Sequence, residues 1–565
     1  MMTLNRASLK RLLVPGLLLW VLLFGIFQAW NQTLTSDESI HTASAYLAIT
    51  RGDHRFDPEH PFLFKYLTAL PFLVYHTNLP KDDLELWDKA APTLYDSWRE
   101  SRKWSDHWVY ESGNNAQVMQ MLMRIPGIIV MTILCWFIWW LARKWYSKKI
   151  ALWALFFTAF NATILAHGYL TNTDVPLALT YMLVIWRVGE YGKDATRRNA
   201  AWVGLTFSIA MLTKYSAVAL IPALAIWLVG VAIARKIRWY NVLADAVIVL
   251  AIFFSLAWII YFFQSPVLLT VGDYVLAGNN ISYTLGAQYS DIATKFLHIG
   301  PHILPSAYLK GLLMTLYGGL NGRGTFLLGH NYYVGVWFYF PTLFLIKNQL
   351  IIVILSIVAL VTAIPKIRKP RQWSTYTWAY SIVGGVFLAL AIKSKLNLGI
   401  RHIMPLMPIL SIVLAGLMVR IQTMFQKPYL MGTIILATVL PILVQSGNLI
   451  GFGNSITGPG IDRSHYFVDS NLDWGQSWQR IADTLKTHFP NQPVYLQYYT
   501  SALGYYAPHN PQYDIRNAGS AGPGVILVAA NDLRGGSLST YEAFAPDYIV
   551  DNGYFLYHSN SLQKR

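Results

Sequence analysis

The stretch TSDESIHTASAYLAITRGDHRFDPEHPFLFKYL, Thr35 to Leu67, follows the apolar run Leu12 to Trp30 and sets acids and histidines against a membrane surface. Asp37 and Glu38 fall within a few residues of the expected end of a first spanning helix, and His41 stands one turn further along any helix that follows. Glu59, His60 and Lys65 form a second polar group beside the apolar Pro61, Phe62, Leu63 and Phe64. Ionisable groups at a bilayer boundary cost free energy unless they are paired or used, so such a cluster marks a functional site. The first group also has a structural reading. Thr35 and Glu38 have capping-box spacing, and Ile40, Ala43 and Leu47 mark the apolar face of a short amphipathic helix. Capping accounts for Glu38 and leaves the second group unexplained.

Composition sets the class. Of 565 residues, 54% are hydrophobic and only 13% charged, with a mean hydropathy of +0.37. This describes a polytopic α-helical membrane protein rather than a soluble one. The 21 Trp and 34 Tyr suit a chain with many interfacial belts and an apolar or sugar groove. Lys and Arg number 44 against 28 acids, a net charge of +16. In a soluble chain that excess would suggest nucleic acid. Here the cations sit mostly in short loops between apolar runs, where membrane orientation explains them and no nucleic-acid partner is expected. The single cysteine, Cys135, lies in an apolar run, so neither an internal disulfide nor a cysteine metal site is expected. Arg6, Lys10 and Arg11 before Leu12 resemble the opening of a signal peptide, but the apolar run is too long and lacks a small-residue cleavage site, which predicts an uncleaved anchor.

Runs long enough to cross a bilayer, short tilted ones included, predict about eleven spans near 12–30, 118–141, 150–166, 175–190, 200–213, 216–234, 242–263, 341–363, 375–392, 403–420 and 428–448. The segment 61–79 is read as a re-entrant or surface helix. With the N-terminus cytoplasmic, the basic connectors at Arg143–Lys149, Lys193–Arg198, Arg235–Arg238 and Lys366–Arg371 share one face. The opposite face receives the loop 31–117, the turn before Val175, the long loop 264–340 and everything after 448. Lys214, Lys393, Lys395 and Arg401 fall on that outer face against the charge rule, with His402 beside them. A basic cluster there suggests an anionic ligand, the alternative being snorkelling side chains.

The expected domains are a membrane-embedded part over 1–448 and a small extracytoplasmic α/β domain over 449–565. In the latter, HYFVDS, VYLQYY, GVILVAA and DYIVDN read as strands, with a helix from Trp474 to about Thr487. No internal repeat stands out, which weakens a transporter reading.

Topology places Asp37 and Asp174 on one membrane face. Sugar transfer from a phosphate-linked lipid needs a carboxylate to take the acceptor proton, cations for the departing phosphate and an apolar groove for the lipid tail. Asp37 fits the first role, and Lys214, Lys393, Lys395 and Arg401 fit the second. A single carboxylate base would invert the anomeric centre. Asp174 also precedes Val175-Pro176, where a helix N-cap is expected. His41, Glu59 and His60 offer a divalent metal imidazole and carboxylate donors, although their spacing matches no metal motif. Asp469, Asn471 and Asp473 lack the glycine and closing glutamate of a calcium loop, so a turn capped by Asp473 is expected there.

These residues carry a resemblance. The acidic pair Asp37-Glu38 with His41, EHPFLFKYL at Glu59 to Leu67, AHGYLTNTDVPLAL at Ala166 to Leu179, MLTKYSAVALIP at Met211 to Pro222, LNLGIRHIMPLMP at Leu396 to Pro408 and HYFVDSNLDWGQSW at His465 to Trp478 occur in family order. Together they resemble glycosyltransferase family 39, which includes protein O-mannosyltransferases and lipid A aminoarabinose transferases, and within it the bacterial members with a soluble C-terminal tail. The resemblance implies a GT-C fold and a polyprenyl-phosphate-sugar donor, with the active site on the extracytoplasmic side of a bacterial inner membrane. It also implies Asp37 as the catalytic acid of the first outer loop, Asp174 as the second acid, and Lys214 and Arg401 as contacts for the lipid phosphate. One departure is Phe62, where the family's HPPL-type segment has a second proline.

The expected catalytic set is Asp37, Asp174 and Glu38. The expected substrate and lipid-phosphate contacts are His41, Glu59, His60, Lys65, Lys214, Lys393, Lys395, Arg401 and His402. Beyond an optional divalent metal no cofactor is expected, and the acceptor, a protein or a glycolipid, stays open. The competing reading is a polyprenyl-lipid transporter or flippase that does no chemistry, which would place acids and bases on both faces or at the midplane. A scaffold with a partner-binding tail would leave the outer-face cluster unexplained.

Overall fold

In a computed structural model of the chain, the residues described are 6–54, 56–81, 101–263, 299–367, 373–497, 500–508, 511–513 and 522–559. Parts of the first outer loop (82–100), the start of the long outer loop (264–298) and the connector residues Arg368, Lys369 and Arg371 lie outside them.

The chain is an α-helical membrane protein. Among the described residues, six helices are long and apolar enough to cross a bilayer: Leu12–Asn31, Ala116–Trp145, Tyr215–Arg235, Trp239–Ile260, Thr375–Lys393 and Leu406–Phe425. The other predicted spans also coincide with helices, but they are shorter, broken or more polar. Helix Asp174–Lys193 carries Arg187 and Glu190 and is buried along most of its length. Segment 61–79 contributes only the short apolar helix Phe62–Leu73, too short to cross.

The predicted spans 150–166 and 341–363 are each broken, and the two breaks answer one another. The first divides into Lys148–Ala159 and Ala162–His167, where the Asn161 side chain accepts from Ile164 N–H at 2.9 Å. The second divides into Tyr339–Ile346 and Leu350–Ile367 around the buried Lys347, Asn348 and Gln349. Gln349 Nε2 donates to the Phe160 carbonyl at 2.5 Å, at the break in the other helix. Lys347 Nζ donates to the carbonyls of Ile450 at 2.6 Å and Asn471 at 2.5 Å. Irregular backbone at membrane depth survives where protein satisfies it in this way.

The two ends of the bundle differ. At one end Lys144 pairs with Glu190 at 2.6 Å, Arg197 pairs with Asp245 at 2.6 Å and Lys193 donates to the Tyr376 hydroxyl at 2.9 Å. These are the basic connectors that the charge pattern puts on one face. The acids singled out in the sequence gather at the other end.

After helix Pro428–Val444 the chain builds a five-stranded mixed sheet of order β4-β3-β5-β7-β6, with β3 Val494–Leu496, β4 Pro511–Tyr513, β5 Val525–Ala529, β6 Tyr548–Val550 and β7 Tyr554–His558. The earlier hairpin of β1 Thr325–Leu327 and β2 His330–Tyr332 stands apart from it. Alternation along β5 and β7 sends Val525, Leu527, Tyr554 and Leu556 towards helix Trp478–His488. It sends Ile526, Val528, Phe555 and Tyr557 into the cluster that also contains the bundle core. One face of the sheet thus belongs to a hydrophobic cluster continuous with the bundle core.

Three local expectations are corrected. HYFVDS is not a strand: Phe467 makes an isolated bridge to Leu327, and Asp469 takes a left-handed φ of 60° that starts a 3-10 turn. The helix begins at Trp478 rather than Trp474. Asp473 does not cap it. Its buried carboxyl accepts instead from Gly475 N–H at 3.2 Å and from the Tyr554 hydroxyl.

Glu38 locks the first outer loop to the bundle. Its carboxylate takes Arg124 Nε at 2.9 Å and Nη2 at 2.7 Å, together with the N–H groups of Thr35 at 2.8 Å and Thr171 at 2.9 Å. Arg124 also donates to the carbonyls of Ala29 at 3.0 Å, Gln32 at 2.6 Å and Thr33 at 2.7 Å. Both side chains are closed from solvent. Removing one partner strands a buried charge, so Arg124→Met should destabilise by about 3–5 kcal/mol. Replacing both by apolar residues would strand the backbone groups as well, so Glu38→Leu with Arg124→Met should not recover wild-type stability. Thermal unfolding of the detergent-solubilised protein reads this, and a double variant as stable as wild type would refute the lock.

A second stability effect follows from Asp473. Burial pushes its carboxyl up to about 7, against the Tyr554 and Gly475 hydrogen bonds that favour ionisation. The folded protein thus holds this proton more tightly than the unfolded chain, whose pKa is about 4. Its contribution to stability should fall as pH rises from about 4 through about 7, and Asp473→Asn should flatten that part of the melting-temperature profile.

Candidate active site

The site begins with a backbone clamp. Ser36 N–H donates to the Trp474 carbonyl at 2.9 Å, Thr33 N–H donates to the Gln476 carbonyl at 3.0 Å, and the Thr33 hydroxyl donates to the Gly475 carbonyl at 2.8 Å. The turn Asp473–Ser477 thereby holds the segment Thr33–Ser36, which leads into Asp37 at the start of helix Glu38–Arg51.

From Asp37 a chain of charges runs inward. Arg102 Nη2 lies 3.4 Å from Asp37 Oδ1, and Arg401 Nη2 lies 3.9 Å from Asp37 Oδ2. Arg401 Nη1 lies 3.5 Å from Asp174 Oδ2, and Lys214 Nζ lies 2.5 Å from Asp174 Oδ1. Arg401 stacks on Trp474 with its guanidinium carbon 3.9 Å from the ring centroid. The two acids and the two cations expected to work together do meet, around Arg401. Exposure separates the acids. The Asp37 side chain is 26% exposed and that of Asp174 is 2% exposed.

Asp174 is not a helix cap. Thr173 holds the cap position without a side-chain cap bond, and the Asp174 carboxylate is taken by the two cations. Around it stand buried polar atoms with no partner among the described residues: His167 Nδ1, Asn172 Nδ2, Thr173 Oγ1 and Arg401 Nε. Donors left unpaired beside cations are where an anion's oxygens would sit. His402 lies close enough to act on Asp174 electrostatically.

The second group closes around Asp57, which the sequence reading does not single out. Asp57 Oδ2 is 2.7 Å from His41 Nδ1 and 3.1 Å from Lys65 Nζ, and Lys65 also donates to the Asp57 carbonyl at 2.8 Å. Asp57 takes a left-handed φ of 49°. Helix Ser306–Asn321 presents Gly311 so close to the Pro58 carbonyl and the Tyr215 ring that a Cβ has no room there. The His41 and His60 rings meet edge to face, with centroids 4.7 Å apart. Burial opposes ionisation of Asp57, but Lys65 and His41 hold its carboxyl below the ordinary range. Burial and then His41 keep the His60 imidazole well below its ordinary value, and so neutral. Glu59 still reaches solvent, yet enclosure and then the Asp57 and Asp37 carboxylates push it up to about 7. Glu59 feels Asp37 and Arg102, and His60 feels Lys214 and Arg401, so the two groups form one electrostatic site.

Some expected members stand elsewhere. Glu38 is sealed against Arg124 with almost no exposed surface. Lys393 and Lys395 are exposed and make no ion pair among the described residues. The residues that sequence reasoning missed are Asp57, Arg102, Arg124 and Trp474. Arg124 was the most findable, as a lone charge within an apolar run.

His41, Asp57 and His60 can bring one ligand atom each to within 4.8 Å of one another. Two imidazoles and a carboxylate, one of the imidazoles carrying an unpartnered buried Nδ1, suit zinc in donor type. The expected trio had Glu59 in the place that Asp57 occupies.

Residues 115–261 match the family described as dolichyl-phosphate-mannose-protein mannosyltransferase, a stretch that contains Asp174 and Lys214. No curated protein matches the chain in sequence. Among solved structures, the chain is similar to ArnT from Cupriavidus metallidurans, in the apo state and bound to undecaprenyl phosphate, at 12% identity and a TM-score of 0.46 with 98% of each chain covered. It is also similar to the apo oligosaccharyltransferase from Archaeoglobus fulgidus, at 11% identity and a TM-score of 0.48, covering 92% of this chain and 70% of that one. In its ordered motifs and across residues 115–261, the chain resembles glycosyltransferase family 39.

Proposed function

We propose that this protein is a membrane glycosyltransferase of the GT-C fold that moves a sugar from a polyprenyl-phosphate donor to an extracytoplasmic acceptor. The observation that carries the reading is Arg401 bridging a partly open acid and a closed one, with unpaired donors around the closed acid. Asp37, partly exposed and only loosely paired, takes the proton of the acceptor hydroxyl. The acceptor oxygen then bonds to the anomeric carbon as its bond to the phosphate oxygen breaks, and the configuration inverts in a single displacement. Lys214 and Arg401 meet the charge that grows on the departing lipid phosphate. Asp174 holds both cations in place. The membrane-embedded part over 1–448 supplies these groups, and 449–565 covers them from outside. The cell compartment we assign is a bacterial inner membrane with the N-terminus cytoplasmic.

A divalent cation would be held by His41, Asp57 and His60. Its chemistry there would be to neutralise phosphate charge. Lys65 already occupies one oxygen of Asp57, so the cation would share that carboxylate with an ammonium.

Two outcomes test the reading. In membranes supplied with a polyprenyl-phosphate sugar, Asp37→Asn should lower transfer by roughly 10²–10⁴-fold, and Lys214→Ala by roughly 10²–10³-fold. Unchanged turnover in Asp37→Asn would remove it as the base, and lipid translocation without a covalent product would favour a flippase. For the cation, purified protein should retain zinc after dialysis and lose it in His60→Ala. Full transfer by metal-free protein would remove the cation from the mechanism.

A further inference from the structure

Beside the charged site lies a cavity of about 240 Å³ between the first outer loop and the C-terminal sheet. Its walls come from the segment before Asp37, from the helical segment bearing Arg102 and Asp106, and from β3, β5 and the turn at Asp473. We propose that this cavity is the acceptor pocket, and that it takes an uncharged sugar ring rather than a phosphate-bearing group. The proposal rests on the transfer reading above.

Position comes first. Trp474 lines the cavity and carries Arg401 on its ring, and Arg102 lines the cavity while holding Asp37. Asp37 is not itself in the lining, but its neighbour Ser36 and its partner Arg102 are, so a hydroxyl bound at that edge is brought towards the proposed base, to which it would give its proton as its oxygen bonds to the anomeric carbon.

Chemistry comes second. Trp474 and Trp478 give broad apolar faces for the C–H side of a ring, and Asp106, Asp473 and Asp532 give oxygens for its hydroxyls. Thr35 is 2% exposed, lines the cavity and has a hydroxyl with no partner. An unpaired buried hydroxyl at a cavity wall is a place for a ligand's hydrogen bond.

Charge comes third. Three carboxyl groups face the space, and Arg102, the one cation among the described residues that line it, is engaged with Asp37. A phosphate would meet acids on most sides. Burial pushes Asp106 and Asp532 up to about 6 and Asp473 up to about 7, so at neutral pH Asp106 and Asp532 stay largely ionised and keep the charge that turns a phosphate away.

The test uses the full chain in lipid nanodiscs, with methyl pyranosides and the matching sugar 6-phosphates as probes and saturation-transfer NMR as readout. Wild type should bind at least one pyranoside, and its 6-phosphate about tenfold or more weaker. Asp532→Asn removes a charge at a partly exposed site, and Ala502→Trp fills the cavity. Each should weaken pyranoside binding by about tenfold while leaving affinity for undecaprenyl phosphate within about twofold. Asp532→Asn should also narrow the gap between pyranoside and phosphate. The proposal fails if wild type binds no pyranoside, if both variants bind as wild type does, or if the phosphates bind better. Failure of wild type to bind undecaprenyl phosphate would instead sink the donor reading, since the pyranoside arm reports on the cavity alone.

Discussion

Arg401 holds this molecule's charged end together. Two carboxylates brought near one another in a poorly solvated space repel unless a cation stands between them. Arg401 is that cation for Asp37 and Asp174. It is itself held flat by Trp474, whose carbonyl receives the Ser36 N–H. The segment carrying Arg401 is pinned to the same turn region, with Ile400 N–H donating to Asn471 Oδ1 at 3.0 Å and the Ser470 hydroxyl donating to the Leu398 carbonyl at 2.5 Å. The first outer loop, the segment after Lys395 and the start of the C-terminal region thus depend on one another. The residues after 448 are a structural part of the charged end.

This interlock explains what could be read in the sequence and what could not. Apolar runs are a one-dimensional signal, so the helices are found near their predicted positions. Asp37, Asp174, Lys214 and Arg401 were legible because each is a charge out of place beside an apolar run. Charge counting cannot tell which side chains of a loop turn inward. Lys393, Lys395 and Arg401 read as one group, yet only Arg401 is buried against the acids. Asp57 was hidden because a carboxylate beside a proline in a polar loop looks like a turn residue, and its value comes from Lys65 and His41 closing on it.

The broken helices were hidden for a related reason. Hydropathy averages over a window, and three polar residues at 347–349 barely lower it in so apolar a run. Their meaning lies in partners far along the chain, such as the Phe160, Ile450 and Asn471 carbonyls. The tail misled in the opposite direction. HYFVDS has strand composition, but Lys347 and Tyr339 take the Asn471 carbonyl and amide beside it, and the left-handed Asp469 turns the chain before a ladder can form.

What separates structural acids from reactive ones here is saturation. Glu38 has Arg124 and two backbone N–H groups on its oxygens at 2.7–2.9 Å and no exposed surface to speak of. A proton arriving there would break a filled set of bonds. Asp174 is nearly as closed, and its 2.5 Å contact with Lys214 makes it a holder of cations. Asp37 meets its two guanidinium groups at 3.4 and 3.9 Å, distances at which charge is balanced but lone pairs stay open. An acid that meets its cations only loosely is the one free to accept a proton, and of the three only Asp37 keeps appreciable exposed surface.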